Sequence, residues 1–281
     1  MTRMEATPET IVAVAEAAAR AAGAVARKGF VEAGPDTLET QQKAGFYDIV
    51  TVYDKAAEKA ACDLIWSRLP QSRILGEETG WQGEGETTWI IDPIDGTSNF
   101  ASGLPIFCVS IAAYHAGKPV CGIVYDPMRE ELFMAAGGVL TLNGKPVESF
   151  LRGSRDRDVE LLSNAPYEGG RPSPAALEAF ADAVAAFRAV RRIGSCALHL
   201  AYAATGRVAV AYESKFSAWD IAAGIQLAEA ASAQIACYDA EGRPVEPTVD
   251  NLPAVKRLVV AQAGFDYQSS CLSKLIVDGK M

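Results

Sequence analysis

The chain has 281 residues, a net charge of −9 and 49% hydrophobic residues, a composition typical of a globular protein with a large core. The negative charge argues against nucleic-acid binding, because phosphate contacts need clustered Lys and Arg. No apolar run approaches the roughly 20 residues that span a membrane, and the N-terminus lacks the layout of a secretory signal. These features predict a cytoplasmic protein without nucleic-acid or membrane partners.

The first half of the chain predicts two helices followed by strands. A helix begins at Thr7-Pro8-Glu9 and runs to about Lys28, and a polar loop with Gly and Pro covers residues 33–47. The helical period of apolar residues predicts a second helix over 54–69. Predicted strands cover 73–75, 88–91, 107–115, 120–125 and 131–136. Asn143-Gly144 marks a tight turn.

From about residue 151, predicted strands and helices alternate, which implies helices stacked on a sheet. The strands are 159–163, 189–193, 208–212, 234–238 and 258–262, and the helices are 174–187, 195–205 and 219–231. We expect residues 1–150 and 151–281 to be two halves of one compact unit, because no linker separates them.

Cysteine and histidine usage limits the metal chemistry that this chain can support. The six cysteines are scattered without a C-x-x-C pair, which predicts reduced thiols in the core or in a pocket. Only two histidines, His115 and His199, are present, so zinc sites of the His/Cys type have few ligands available. If a metal is bound, we expect oxygen ligands.

The stretch WIIDPIDGTSNF, residues 89–100, places two aspartates directly after an apolar run. A buried strand brings the residues at its carboxyl end to the sheet edge, where open α/β folds place their sites. Pro93 stiffens the turn, Gly96 permits a tight reversal, and a short helix is predicted from Thr97. Backbone amides favour an anion and acids favour a cation, so a phosphate held through a divalent metal satisfies both. A turn capped by aspartates is the alternative.

Other acids occupy similar positions, and each has a purely structural alternative. Glu77 and Glu78 follow another short apolar strand, as in a charged surface turn. Asp220 begins a predicted helix, where it can act as a partner of the helix dipole. Asp54 lies three residues after Thr51, which is the spacing of a capping box.

Together these motifs resemble the inositol monophosphatase family over residues 43–231. The sequence contains D-x-V-T-x-x-D, GEE, DPIDGT and WD in the family's order, with NGKPV, GSCAL and YESKFSAWD as lesser signatures. The resemblance implies an α+β fold, a layered α-β-α-β-α sandwich of the sugar-phosphatase type. It also implies a homodimer and inhibition by Li⁺ at a Mg²⁺ position.

The resemblance further implies a Mg²⁺-dependent phosphatase with two or three ions. The implied metal ligands are Glu77, Asp92, Asp95, Asp220 and the backbone carbonyl of Ile94. Oxygen ligands of this kind suit Mg²⁺. A metal-activated water is the implied nucleophile, oriented and deprotonated by Asp54 and Thr97 with Glu77 beside them.

The implied substrate site uses residues from both halves of the chain. The residues implied to bind the phosphate or the substrate body are Asp95, Gly96, Thr97, Gly194, Ser195, Cys196 and Glu213. Glu78 is expected to support the site without direct ligation. Lys43 matches a lysine of a mobile loop near the third metal, with a solvated surface lysine as the alternative. The sequence departs from the family pattern at Cys196 and at Ala231-Ser232, where two glycines are usual.

The residues after DGT favour inositol 1-phosphate as the substrate, because Ser98-Asn99-Phe100 resembles the inositol monophosphatases. Histidinol phosphate, fructose 1,6-bisphosphate, NADP and 3′-phosphoadenosine phosphates are alternatives of the same class. An alternative of another class is a regulatory binding protein of an RNA-synthesis complex with secondary phosphatase activity.

Overall fold

The computed structural model describes residues 5–32, 40–45, 48–148, 153–166 and 171–277, with the backbone alone for 40–45 and 48–50. The helices are α1 (Pro8–Glu32), α2 (Val52–Arg68), α3 (Thr97–Ala101), α4 (Pro174–Ala186), α5 (Cys196–Ala204), α6 (Ala218–Ala230) and α7 (Cys271–Val277). The strands are β1 (Thr40–Gly45), β2 (Asp48–Thr51), β3 (Ser72–Gly76), β4 (Gly80–Gln82), β5 (Thr87–Asp95), β6 (Cys108–His115), β7 (Lys118–Asp126), β8 (Glu131–Ala136), β9 (Val139–Leu142), β10 (Lys145–Pro146), β11 (Glu160–Ser163), β12 (Ala189–Arg191), β13 (Val210–Ser214), β14 (Gln234–Tyr238) and β15 (Arg257–Ala261).

The strands form two main sheets and one antiparallel pair. The large sheet has the order β10-β9-β8-β7-β6-β5-β3-β4, and the small sheet has the order β12-β11-β13-β15-β14. In the large sheet, β3 and β5 are parallel, which places their carboxyl ends side by side. The remaining pair is β1 with β2.

Alternating side chains of the large sheet enter two different cores, since successive residues of a strand point to opposite faces. Trp89 and Ile91 of β5 pack in the core formed with α1 and α2, whereas Ile90 packs in the core formed with α5 and α6. The small sheet covers the other side of α5 and α6, and its outer face packs against α4 and α7. The predicted α-β-α-β-α layering is therefore confirmed.

Most predicted elements are confirmed to within a few residues, and the differences have a common cause. Strand β1 lies inside the predicted loop 33–47, so that interpretation was wrong for residues 40–45. Strand β5 extends to Asp95, beyond the predicted end at Ile91, and β2, β4, β9, β10 and α7 were not predicted. Each of these strands pairs with a neighbour, and pairing stabilises short polar segments that lack strand periodicity. The predicted turn at Asn143-Gly144 is present between β9 and β10.

Two further sequence features have clear structural outcomes. All six cysteines are free, and all but Cys271 are buried, as predicted. After α6, Ser232 adopts a left-handed conformation with φ 54°, at one of the two positions where glycine is expected. Within the described ranges, no helix has the length and apolar character needed to cross a membrane.

Candidate active site

A β-bulge at the end of β5 turns Asp92 and Asp95 towards the same side of the sheet. Asp92 pairs with Ser110 and Asp95 pairs with Cys108, so β5 contains one more residue than β6 between these two pairs. In a regular strand, residues three apart point to opposite faces, and the extra residue removes this difference. Gly96 follows with φ 104°, a left-handed conformation that leads the chain directly into α3.

Asp220 at the start of α6 completes an acidic cluster with Asp92 and Asp95. One carboxylate oxygen of each residue lies within 4.8 Å of the others. Asp220 also accepts a hydrogen bond from the Ser217 amide at 2.5 Å, as part of a capping box. Asp220 therefore lies in the first turn of α6, as predicted, and it is also a member of the cluster.

Burial and mutual repulsion make these carboxylates hard to ionise without a cation. Burial, followed by the charge of Glu77, raises the pKa of Asp92 well above its usual range. Burial, followed by the charge of Asp95, raises the pKa of Asp220 to about 8. The charges of Asp95 and Asp220 raise the pKa of Asp92 further. A buried set of hard oxygen donors that must otherwise retain a proton fits a divalent cation such as Mg²⁺.

Asp95 is held by the first turn of α5. Its Oδ2 accepts hydrogen bonds from the Ser195 hydroxyl and the Ala197 amide, both at 2.6 Å, and the Cys196 amide lies 3.3 Å from Oδ1. These donors, together with the positive end of the helix, oppose the effect of burial on the pKa of Asp95. Ser195, predicted in the substrate pocket, is fully buried and orients this carboxylate.

Glu77 lies at the end of β3, beside the acidic cluster. Its amide donates to the carbonyl of Ile91 at 3.1 Å, which ties the end of β3 to β5. The negative charge of Glu77 contributes to the raised pKa of both Asp92 and Asp220. The parallel arrangement of β3 and β5 thus brings the GEE and DPIDGT motifs to one edge of the sheet.

Glu58 of α2 supports this loop, and the motifs did not indicate it. The Glu78 amide donates to Glu58 Oε2 at 2.9 Å, and the Thr79 hydroxyl donates to Glu58 Oε1. Glu58 is 1% exposed, and a Cβ atom at Gly76 would lie 2.5 Å from its carboxyl carbon. Its spacing of four residues from Asp54 was the available signal, since such residues share one helix face.

Asp54 accepts the capping hydrogen bonds of α2 and also contacts Thr97. Its Oδ2 accepts from the Thr51 amide at 2.8 Å and the Thr51 hydroxyl at 2.6 Å. Its Oδ1 lies 3.0 Å from the Thr97 hydroxyl, which also lies 3.0 Å from the carbonyl of Ile94. Asp54 is fully buried, and burial raises its pKa. One oxygen of Asp54 therefore caps α2, as the spacing from Thr51 predicted, and the other contacts Thr97.

A cavity of about 610 Å³ adjoins the acidic cluster, and three predicted substrate residues, Gly194, Cys196 and Glu213, line it. Its lining includes Asp95, Asn99, Gly194, Cys196, Glu213 and Asp220. Burial raises the pKa of Glu213, and the neighbouring His199 opposes that shift. Lys43 lies in β1, where a loop was predicted, and its side chain lies outside the described part of the structure.

Comparisons with known proteins agree with this geometry. Residues 7–272 match the inositol monophosphatase family. The chain is 41% identical over 218 residues to Nus factor SuhB of Escherichia coli (strain K12), covering 75% of this chain and 79% of that protein. It is 34% identical over 257 residues to inositol monophosphatase 3 of Solanum lycopersicum, covering 88% of this chain and 92% of that protein. The crystal structure of extragenic suppressor protein suhB from Bartonella henselae has a TM-score of 0.79 at 28% identity and covers 96% of each chain. The chain therefore belongs to the inositol monophosphatase family, whose members are phosphoric monoester hydrolases.

Proposed function

We propose that this protein is a Mg²⁺-dependent phosphomonoesterase that hydrolyses a small polyol phosphate, with inositol 1-phosphate as the preferred substrate. The observation that carries the proposal is that Asp95 and Asp220 of the acidic cluster line one cavity with Glu213. A metal held by the cluster suits the phosphate end of a substrate, and a carboxylate suits the hydroxyl groups of its body. The cavity volume of about 610 Å³ accommodates a molecule of this size.

The residues proposed to hold two or three Mg²⁺ ions are Glu77, Asp92, Asp95, Asp220 and the carbonyl of Ile94. Bound Mg²⁺ would neutralise the charge of the phosphate and make a water molecule more acidic. The role of the protein is to present these oxygens in fixed positions. The bulge in β5, the first turn of α5 and the capping box of α6 each hold one aspartate of the cluster.

Asp54 and Thr97 are proposed to orient the attacking water and to receive its proton. The Thr97 hydroxyl has a single proton, so it donates either to Asp54 or to the carbonyl of Ile94. If the Ile94 carbonyl held a cation, Thr97 would donate to Asp54, and the Thr97 oxygen would be able to accept a hydrogen bond from water. The raised pKa of Asp54 brings its proton affinity closer to that of a general base at neutral pH.

The backbone amides of Gly96 and Thr97 are proposed to bind the phosphate, and Gly194, Cys196 and Glu213 to contact the substrate body. Glu78 supports the metal site through its amide, which is fixed by Glu58. Lys43 is proposed to act near the third metal.

The test is a panel of phosphomonoesters assayed for phosphate release with Mg²⁺ and after treatment with EDTA. The panel contains inositol 1-phosphate, histidinol phosphate, fructose 1,6-bisphosphate, NADP and 3′-phosphoadenosine 5′-phosphate. We expect the highest kcat/KM for inositol 1-phosphate and no turnover with EDTA. If another member of the panel had a higher kcat/KM, that compound would replace inositol 1-phosphate as the proposed substrate. If no member were hydrolysed, the proposed phosphomonoesterase function would be wrong.

We infer a second candidate function, as a binding protein of an RNA-synthesis complex, from the similarity to a protein named Nus factor SuhB at 41% identity. The test is co-sedimentation of the purified chain with a reconstituted bacterial transcription complex. Equal co-sedimentation of wild type and Asp95→Asn would support a binding role that is separate from hydrolysis. No co-sedimentation of either protein would contradict it.

A further inference from the structure

We propose that His199 is a positioning residue that selects substrates with hydroxylated bodies, by holding Glu213 as an ionised hydrogen-bond acceptor in the cavity. This inference rests on the proposed function and deepens it, because it assigns substrate selection to a residue outside the cavity lining. The contacts of two buried side chains carry it.

His199 lies on α5, one turn after Ser195, and its amide donates to the Ser195 carbonyl at 3.2 Å. Its side chain is fully buried. The Nδ1 atom is in hydrogen-bond contact with Glu213 Oε1. The Nε2 atom lies 3.4 Å from the amide nitrogen of Ile193. Both ring nitrogens therefore have a defined neighbour, one from β13 and one from the segment that leads into α5.

These two contacts specify the tautomer of His199. A backbone amide is only a donor, so Nε2 must accept the hydrogen bond from Ile193 and carry no proton. The proton of the neutral imidazole is then on Nδ1, which donates to Glu213. A donor at this position stabilises the ionised form of the carboxylate, and the effect of His199 on the pKa of Glu213 has this direction.

Glu213 is consequently fixed as an acceptor. It is 1% exposed, and the backbone amide of Asn164 also donates to it. Because both of these donors belong to the protein, the carboxylate oxygens keep their orientation towards the cavity that Glu213 lines. A desolvated acceptor favours a ligand that brings a donor, and a substrate hydroxyl does so. A substrate without hydroxyl groups leaves this acceptor unpaired.

His199 also links substrate selection to the acidic cluster. Through Ile193 it holds the segment that contains Gly194, which has φ 78° and lines the cavity. This segment continues into the first turn of α5, which binds Asp95. One imidazole thus connects the residue proposed to bind the substrate body with the helix that orients a proposed metal ligand.

The tautomer is tested directly by nitrogen NMR of the imidazoles in the full chain. The sequence contains only two histidines, so His115→Asn assigns the signals of His199. We expect a neutral ring protonated at Nδ1 at neutral pH. Protonation at Nε2 alone, or at both nitrogens, would overturn the proposal. This measurement does not depend on any enzymatic activity.

The selection role is tested by the ratio of kcat/KM for inositol 1-phosphate to kcat/KM for p-nitrophenyl phosphate, whose body has no hydroxyl groups. His199→Leu is expected to lower this ratio about tenfold, mainly through the KM for inositol 1-phosphate. His199→Asn places an amide donor near the position of Nδ1 and is expected to recover most of the ratio. An equal loss with both substrates, as a purely structural role would produce, would overturn the proposal.

Two controls keep this result interpretable. Thermal unfolding checks that each variant is folded. If His199→Leu does not fold, Glu213→Gln takes its place. This variant replaces one acceptor oxygen by a donor and is expected to lower the same ratio of kcat/KM values. An unchanged ratio in Glu213→Gln would then overturn the proposal. If the wild type hydrolyses neither substrate with Mg²⁺, the proposed function fails, and the NMR result still decides the arrangement of His199 and Glu213.

Discussion

Two groups of acidic side chains in this protein have opposite electrostatic surroundings. Glu131 of β8 forms two hydrogen bonds with the Arg207 guanidinium, at 2.5 and 2.7 Å, and this partner lowers the pKa of Glu131. In the acidic cluster, burial and neighbouring acids raise the pKa of Asp92 and Asp220. None of the ion pairs formed among the described residues includes a member of the cluster.

The difference separates acids that stabilise the fold from acids that are arranged for a ligand. An acid paired with arginine gains a modest stabilisation from its partner. Three acids beside one another, two of them buried and one half-buried, destabilise the folded state unless they bind protons or a cation. Such an arrangement persists where it serves a function, which is why raised pKa values in a cavity indicate a site.

Removing one charge from the acidic cluster should lower kcat/KM more than any of the other changes. In Asp95→Asn, a neutral amide replaces a proposed metal ligand while the shape of the side chain is kept. We expect kcat/KM with Mg²⁺ to fall on the order of a thousandfold, with the thermal unfolding temperature at or above that of the wild type in EDTA. Phosphate release and circular dichroism provide the measurements. Near-normal turnover would remove Asp95 from the ligand set.

Variants of Glu58 test whether this buried acid, which lies outside the acidic cluster, affects Mg²⁺ binding by the cluster. Glu58→Ala removes the acceptor that fixes the Glu78 amide and the Thr79 hydroxyl, so the loop directly after Glu77 loses two hydrogen bonds. We expect the Mg²⁺ concentration for half-maximal activity to rise about tenfold. Glu58→Gln keeps one acceptor and should show a smaller rise. If Glu58→Ala lowers stability without changing the Mg²⁺ dependence, its role is limited to the fold.

The raised pKa of Asp220 predicts the pH dependence of metal-free stability. Its pKa of about 8 lies above the ordinary value of 3.8. Between these values the folded state retains a proton that the unfolded chain has lost, so the free energy of unfolding falls as pH rises. Mg²⁺ requires the ionised carboxylates and should reverse this loss.

The measurement is the thermal unfolding temperature with EDTA and with excess Mg²⁺, at about pH 6 and about pH 8.5. We expect the increase produced by Mg²⁺ to be larger at the higher pH, because fewer protons compete with the cation. An increase of equal size at both pH values would contradict the raised pKa of Asp220 in the metal-free protein.

Glu131→Gln is the matched change in the other group and should have the smallest effect. The pair with Arg207 is partly exposed, so its loss should lower the free energy of unfolding by about 0.5–1 kcal/mol. We expect kcat/KM and the Mg²⁺ dependence to stay within about twofold of the wild type. A large change in the Mg²⁺ dependence would mean that the two groups of acids are not separate.

Much of the fold and the phosphatase class could be predicted from the sequence, because periodicity, caps and motifs are signals within short stretches of the chain. Helical periodicity and caps indicated α1 and α2, and apolar runs indicated β5 to β8. The order of the acidic motifs indicated a metal-dependent phosphatase, and the family comparison confirms the phosphatase class. The division of the chain near residue 150, the homodimer, the inhibition by Li⁺ and the cytoplasmic location stay predictions.

The sequence by itself determined which acids are present and that they follow strands or begin helices. Only the tertiary structure decided how they meet. The bulge between Asp92 and Asp95, the hydrogen bond from the Glu78 amide to Glu58 and the contact of His199 with Glu213 each join residues of different elements or registers. Each depends on contacts between different elements of the fold, and such contacts exist only after the sheets and helices have packed together.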